Sequence, residues 1–133
     1  MIVDDNYLSA EGIEKNIDWE TLNAEIIHVC YNGTSAIEAM KKEPADLIIS
    51  DIEMPDLDGI SMSRQALEIN PMVKIILISA YDKFEYARRA LLLGALDYIE
   101  KPLDYAYLIQ KVKNAFALME KEQKNLQLLK QSR

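Results

Sequence analysis

Two apolar runs in the middle of the chain, Ile48-Ile49 and Ile75-Ile76-Leu77-Ile78, carry no polar alternation. A strand with one wet face alternates apolar and polar residues, whereas a strand covered on both faces need not. Runs of this kind call for a sheet held between two layers of helix. Strands are predicted at Ile2-Val3-Asp4, Glu25–Cys30, Asp46–Ser50, Lys74–Ser79 and Leu96–Glu100, the outer two more mixed, as suits sheet edges. Helices are predicted between them, at about Tyr7–Asn16, Thr34–Lys42, Gly59–Ile69, Lys83–Leu93 and from near Asp104 onward. Asp58 and Asp82 stand where N-caps belong, Gly94 where a C′ residue belongs, and Pro44 and Pro71 bar continuation of the second and third helices. Strand–helix alternation of this regularity implies a parallel sheet with right-handed crossovers and helices on both faces. The first strand has almost nothing before Ile2, so it is expected to be short, trimmed at its amino end and lacking core contacts there.

Composition narrows the function classes. The 133 residues suit one domain, and half of them are hydrophobic, enough for a sizeable core. No apolar run approaches the roughly 18–20 residues of a membrane span. Met1 leads straight into Ile2-Val3-Asp4-Asp5 with no basic stretch, so no secretory signal is read. Cys30 is the single cysteine, which excludes an internal disulfide and fits a reducing, cytoplasmic setting; its place at the end of an apolar run marks it as a buried structural thiol. The formal net charge of -7 argues against direct nucleic-acid contact by this segment, though not by another domain of a longer chain.

A parallel sheet gathers its strand ends along one edge, where open α/β sheets place their chemistry. Asp4, Asp5, Asp51, Ser79 and Lys101 all fall at or just after predicted strand ends. Carboxylates remote in sequence thereby meet one lysine and one hydroxyl. An aspartate can attack phosphorus to form an acyl phosphate. Two anions repel, so that step needs a cation, and Mg²⁺ suits it as a hard ion bound through a few carboxylates, phosphate oxygen and water. On this reading Asp5 and Asp51 are ligands, Asp4 acts directly or through water, Lys101 pairs with phosphoryl oxygens and Ser79 hydrogen-bonds another.

The sequence resembles a receiver domain of a bacterial two-component response regulator. The matching pieces are Ile2-Val3-Asp4-Asp5-Asn6, Asp51-Ile52-Glu53-Met54-Pro55-Asp56-Leu57-Asp58-Gly59, Ile78-Ser79-Ala80 and Asp97-Tyr98-Ile99-Glu100-Lys101-Pro102, in the family's order and spacing. The resemblance implies a flavodoxin-like (CheY-like) sheet of order 2-1-3-4-5. It implies a receiver domain over 1–118 and a helical linker over 119–133 toward an output domain. It assigns Asp51 as phosphoacceptor from a histidine kinase, Asp5 as a direct Mg²⁺ ligand with Asp4 assisting, and the Glu53 backbone carbonyl as a further ligand. Ser79 and Lys101 would contact the phosphoryl group, Tyr98 would be the switch aromatic, and the peptide before Pro102 would be cis. The face of the fourth helix, fifth strand and fifth helix would then change. Asn6 departs from the family's common glutamate without removing metal binding, and Glu53 and Tyr81 stand where dephosphorylation is tuned. Enzymatic activity is expected only as Mg²⁺-dependent self-phosphorylation and slow self-dephosphorylation. Ser79-Ala80-Tyr81-Asp82-Lys83-Phe84-Glu85-Tyr86-Ala87 and Ile17-Asp18-Trp19-Glu20 are similar to segments of regulators with an AraC-type DNA-binding output domain. No helix-turn-helix is read within these residues.

Other residues read more plainly. Asp56-Leu57-Asp58-Gly59 fails as a calcium loop, since Gly59 at the sixth position would put Met54 first and Gln65 twelfth. His28 is expected to be a partly buried structural residue in the second strand, and Trp19 to pack at the end of the first helix. Leu108, Val112, Ala115, Met119, Glu122, Leu126 and Leu129 are spaced alternately by four and three, a coiled-coil pattern interrupted by Glu122. Beyond Met119 the chain reads either as a linker helix, able to pair in a homodimer, or as a solvated, frayed one. Three functions compete: a phosphoacceptor switch, an aspartate-nucleophile phosphohydrolase using Glu53 as its second acid, and a receiver-like module that takes no phosphate.

Overall fold

The computed structural model describes residues 1–80 and 84–132. Its elements are β1 (Ile2–Val3), α1 (Tyr7–Asn16), β2 (Val29–Cys30), α2 (Gly33–Lys42), β3 (Leu47–Asp51), α3 (Gly59–Ile69), β4 (Lys74–Ser79), α4 (Phe84–Leu93), β5 (Asp97–Glu100) and α5 (Tyr105–Gln131), with a short 3-10 turn at Glu20–Leu22. The strands form one parallel sheet ordered β2-β1-β3-β4-β5, as expected.

Side chains alternate through the central strands into two separate cores. Val3, Ile48, Ile75 and Leu77 face Ala36 and Met40 of α2, Ile60, Met62 and Ala66 of α3, and Ala90 of α4. Ile2, Ile49, Ile76, Ile78 and Ile99 face Ala10 and Ile13 of α1 and Leu108, Val112 and Ala115 of α5. Ile48, Ile76 and Leu77 are fully buried. The uniform apolar runs thus reflect a sheet with no wet face.

Helix starts follow their caps. Asn6 accepts from Ser9 N at 3.1 Å, Asn32 from Ser35 N at 2.7 Å, Asp58 from Ser61 N at 2.8 Å, and Asp104 from Ala106 N at 2.9 Å. At the end of α4, Gly94 has φ 95°, its amide bonds to Leu91 O at 3.1 Å and the Ala95 amide to Ala90 O at 3.0 Å. That paired arrangement needs a left-handed residue, which glycine adopts without a Cβ penalty. The candidate cap Asp82 and the predicted first residue Lys83 lie outside the described residues.

Three boundaries differ from expectation. The second strand, expected over Glu25–Cys30, is regular only at Val29–Cys30, because its neighbour β1 offers only Ile2 and Val3 to pair with. His28 therefore precedes the strand; it is half-buried, with its ring Nε2 2.8 Å from Glu43 O. Asp51 belongs to β3 itself, paired with Ile78. The last helix continues as one rod to Gln131. Lys74 at the start of β4 meets Glu122 at 2.7 Å, so α5 has crossed the sheet by that point, and Leu126, Leu128 and Leu129 beyond it are exposed.

Candidate functional site

Strand register brings the predicted residues to one edge. Asp4 and Asp5 follow β1, Asp51 ends β3, Ser79 ends β4 and Lys101 follows β5. The Asp4 amide bonds to Cys30 O at 3.0 Å and the Lys101 amide to Ser79 O at 2.7 Å, so the ladder continues into the site residues themselves. Behind Asp51, the Gly59 amide bonds to Ile52 O at 2.8 Å. A Cβ on Gly59 would collide with the Asp51 backbone oxygen. Only glycine lets α3 start this close to the strand.

Asp4, Asp5 and Asp51 each offer a carboxylate oxygen within 4.8 Å of the others, and they are the one His/Cys/Asp/Glu group of metal-holding geometry among the described residues. Asp4 and Asp51 are buried and Asp5 is exposed. Asp51 Oδ2 lies 3.3 Å from Lys101 Nζ, and Asp51 Oδ1 accepts from the Ile52 amide at 2.9 Å. Asp4 Oδ1 accepts from the Asn6 amide at 2.9 Å, which turns its side chain toward the cluster. In front of these groups lies an open cavity of about 390 Å³, lined by Asp5, Asn6, Asp51, Glu53, Ala80 and Lys101.

Charge in this site is under-compensated. Burial, and then the neighbouring Asp4 carboxylate, push the Asp51 pKa from 3.8 up to about 6, against the opposing pull of Lys101. Burial likewise raises the Asp4 carboxyl above its ordinary range. One half-buried lysine does not balance three carboxylates. The donor set is all oxygen, compact and negative, which fits a hard divalent cation.

Ser79 is fully buried, and its Oγ makes no hydrogen bond of good geometry among the described residues. The Tyr98 phenol is nonetheless close enough for that hydroxyl to act on it, lowering a pKa that burial raises more strongly. Tyr98 sits half-buried on β5, in register with Leu77. The Lys101–Pro102 peptide is cis. Glu53 is exposed at the cavity wall, and Tyr81 lies outside the described residues.

The loop after Asp51 holds a feature that the sequence reading missed. Asp56 was expected to be a plain loop residue, but its carboxylate accepts from the Gly33 amide at 3.2 Å and the Thr34 amide at 3.0 Å. Those are the first amides of α2, and the contact holds the Asp56 carboxyl well below the usual range, with the Thr34 side chain the largest cause. Gly33 packs directly under Leu57, whose backbone oxygen a Cβ there would strike. The separation of 22 and 23 residues hides this clasp from local pattern reading.

The family profile for the response regulator receiver domain matches residues 1–113. YesN of Bacillus subtilis, an uncharacterized transcriptional regulatory protein, is 28% identical over 122 residues, covering 92% of this chain and 33% of its own length. The chain thus spans about a third of that relative. The REC domain of AraT, a response regulator from Geobacillus stearothermophilus, superposes with a TM-score of 0.86 at 34% identity, covering 92% of this chain and 95% of that one. A chain of the CheX–CheY–BeF3–Mg²⁺ complex from Borrelia burgdorferi superposes with a TM-score of 0.77 at 30% identity, covering 86% of each. Fold, strand order, edge geometry and profile agree, and the chain belongs to the response regulator receiver domain family.

Proposed function

We propose that Asp51 is the phosphoacceptor of this receiver domain. The observation that carries the reading is the buried Asp51 carboxylate, clustered with Asp4 and Asp5 within 4.8 Å and held 3.3 Å from Lys101. Receiver domains work with histidine kinases and are joined to output domains. Here an Asp51 carboxylate oxygen attacks the phosphorus of a phosphohistidine, an O–P bond forms, and the P–N bond breaks with its electron pair returning to the imidazole. At neutral pH the carboxyl is mostly ionised, since its pKa stands at about 6.

Asp5 and Asp51 would hold Mg²⁺ directly, Asp4 directly or through water, and the Glu53 backbone carbonyl would complete the protein ligands. The ion, when bound, supplies charge screening between the carboxylate and the incoming phosphoryl group. Lys101 shifts its ammonium from Asp51 Oδ2 to a phosphoryl oxygen, and Ser79 donates its hydroxyl to another. Drawing the Ser79 hydroxyl inward, toward the phosphoryl group, lets the Tyr98 ring follow, which carries the event to the face of α4, β5 and α5. Residues 119–133 serve as a helical linker to an output domain, which the naming of YesN as a transcriptional regulatory protein supports as DNA-binding. Among the described residues no helix is long and apolar enough to cross a membrane, which agrees with a cytoplasmic setting. The chain catalyses only its own phosphorylation from a donor and its slow hydrolysis.

The test is intact-protein mass spectrometry after incubation with acetyl phosphate, with and without Mg²⁺. The expected result is a Mg²⁺-dependent gain of one phosphoryl mass, abolished by Asp51→Asn. Unchanged mass under all conditions sinks the proposal in favour of a module that takes no phosphate. Rapid multiple-turnover release of phosphate from varied monoesters would favour a phosphohydrolase.

A further inference from the structure

Gly12 lies inside α1, where its φ is negative and no left-handed turn calls for glycine. Within a helix glycine is less favourable than alanine, because it gives up more chain freedom. A neighbour explains its presence. A Cβ on Gly12 would strike the Tyr105 phenol oxygen, while the ring carbon bearing that oxygen would stand 3.5 Å away, at ordinary contact. The conflict is with one atom, the hydroxyl oxygen of the first residue of α5.

Tyr105 is no freely swinging surface ring. It is half-buried and packs, with Leu103, against the core that α1 shares with α5. Asp104 beside it is tied to the helix by its bond from the Ala106 amide at 2.9 Å. The loop from Lys101 to Asp104 therefore has two footholds. One is the bond from the Lys101 amide to Ser79 O at 2.7 Å, and the other is Tyr105 on Gly12. Between them the loop stands over a cavity of about 140 Å³, whose walls include Asp4, Ser9, Ile13, Pro102 and Leu103. Among the described residues no hydrogen bond or ion pair joins α1 to this loop or to α5. Packing alone sets their separation, and the Tyr105 oxygen on Gly12 is a contact with no room to spare. Lys101 Nζ reaches Asp51 Oδ2 at 3.3 Å, which leaves little slack before the contact weakens.

We infer that Gly12 is a seat for the Tyr105 phenol oxygen and that this seat sets the stance of the Lys101 loop, making Gly12 and Tyr105 positioning residues for phosphoryl transfer to Asp51. The inference rests on Asp51 being the phosphoacceptor. A methyl group at position 12 pushes the Tyr105 ring away from α1. The loop moves with the ring, and the lysine ammonium leaves its place beside the Asp51 carboxylate. Asp4, Asp5 and Asp51 stand on β1 and β3 and stay where they are, so the metal ligands are spared. If the same methyl meets phenylalanine at position 105, it takes the space that the oxygen held, and the stance returns.

The experiment follows phosphorylation by acetyl phosphate at saturating Mg²⁺ in the 133-residue chain, Gly12→Ala, Tyr105→Phe and the double variant, with Mg²⁺ affinity measured by calorimetry. Gly12→Ala is expected to slow phosphorylation at least about fivefold, while its Mg²⁺ affinity changes less than about twofold. The double variant should return to within about twofold of the parent rate, a non-additive recovery that separate structural defects would not give. Tyr105→Phe, which removes only the oxygen, should shift the Lys101 and Leu103 amide resonances. Unchanged phosphorylation in Gly12→Ala, a double variant as slow as Gly12→Ala, or unmoved Lys101 and Leu103 resonances in Tyr105→Phe would each overturn the inference. So would a loss of Mg²⁺ affinity matching the loss of rate. A parent chain that gains no phosphoryl mass would instead overturn the assignment of Asp51, and the Lys101 and Leu103 resonances would still decide whether the seat exists.

Discussion

Lys101 reaches Asp51 across the sheet edge, Nζ to Oδ2, at 3.3 Å, and that contact is the cluster's one ion pair to a lysine among the described residues. The ammonium is attached to a backbone that β4 itself holds, through the bond from the Lys101 amide to Ser79 O at 2.7 Å. The backbones that carry the cation and the hydroxyl proposed to meet one phosphoryl group are thereby joined by one hydrogen bond. Strand pairing fixes the spacing of those two backbones, and the lysine side chain spans the remaining distance to Asp51.

Asp51→Asn should stabilise the metal-free protein at neutral pH. The folded pKa of Asp51, about 6, lies above the ordinary 3.8, so between these values the folded state keeps a proton that the unfolded chain releases. Stability falls as pH rises through that window, and the loss is complete above about 6. Urea melts in chelator should show the variant more stable at pH 7, by at most about 3 kcal/mol, and the two curves should converge near pH 4. A gain that persists unchanged at pH 4 would contradict the buried, proton-linked reading of Asp51.

Metal binding and signalling should separate by residue. Mg²⁺ at about a hundredfold over its Kd should stabilise the chain by about 2.7 kcal/mol. Asp5→Asn should weaken that effect at least tenfold in Mg²⁺ concentration. Lys101→Ala should retain it, because the ammonium competes with the ion for Asp51, yet the phosphorylated variant should show little change at Tyr98 by NMR. Loss of Mg²⁺ affinity in Lys101→Ala would contradict its assignment to the phosphoryl group.

The Asp56 clasp predicts a remote effect. Asp56→Ala leaves the Gly33 and Thr34 amides at the start of α2 without their acceptor. Hydrogen exchange at both amides should accelerate, and the loop carrying Glu53 should lose protection with them. Asp56→Asn should recover part of the effect, since an amide oxygen still accepts. Unaltered exchange at Gly33 and Thr34 in the alanine variant would remove the clasp from the account.

Lys74 and Glu122 make the other informative ion pair, at 2.7 Å with side chains 13% and 29% exposed. The Lys15–Glu11 pair, at 3.2 Å, is far more open. A double-mutant cycle on Lys74 and Glu122 should give a coupling of about 1 kcal/mol, and the same cycle on Lys15 and Glu11 about 0.3 kcal/mol. Equal couplings would mean that Glu122 does not fasten α5 to the sheet.

Much of this was legible in the chain itself. The uniform runs Ile48-Ile49 and Ile75–Ile78 announced a sheet covered on both faces, and the two cores divide along those residues. Asp58 and Gly94 announced a helix start and a helix end. The convergence of Asp4, Asp5, Asp51 and Lys101 followed from parallel strands alone, while the roles of Tyr98 and Pro102 entered only by family likeness. What escaped was tertiary. Glu25–Ile27 has strand composition, but a strand exists only where a neighbour supplies its ladder, and no local pattern reports the neighbour's length. Asp56 looks like any turn aspartate until α2 is folded beneath it. Gly59 reads as the residue after a cap, and only the closeness of the Asp51 backbone shows why nothing larger serves.

The run of α5 has a mechanical consequence. Its cap, Asp104, stands three residues after Lys101, and the same unbroken helix leaves the sheet past Glu122 and ends at Gln131. At 1.5 Å per residue it is a rod of about 40 Å, so a tilt of about 5° about its capped start would move the far end by about 3.5 Å and would carry the Lys74–Glu122 contact with it. The rod amplifies. A tilt that displaces the residues beside Lys101 little moves Gln131 by more than the width of a water molecule.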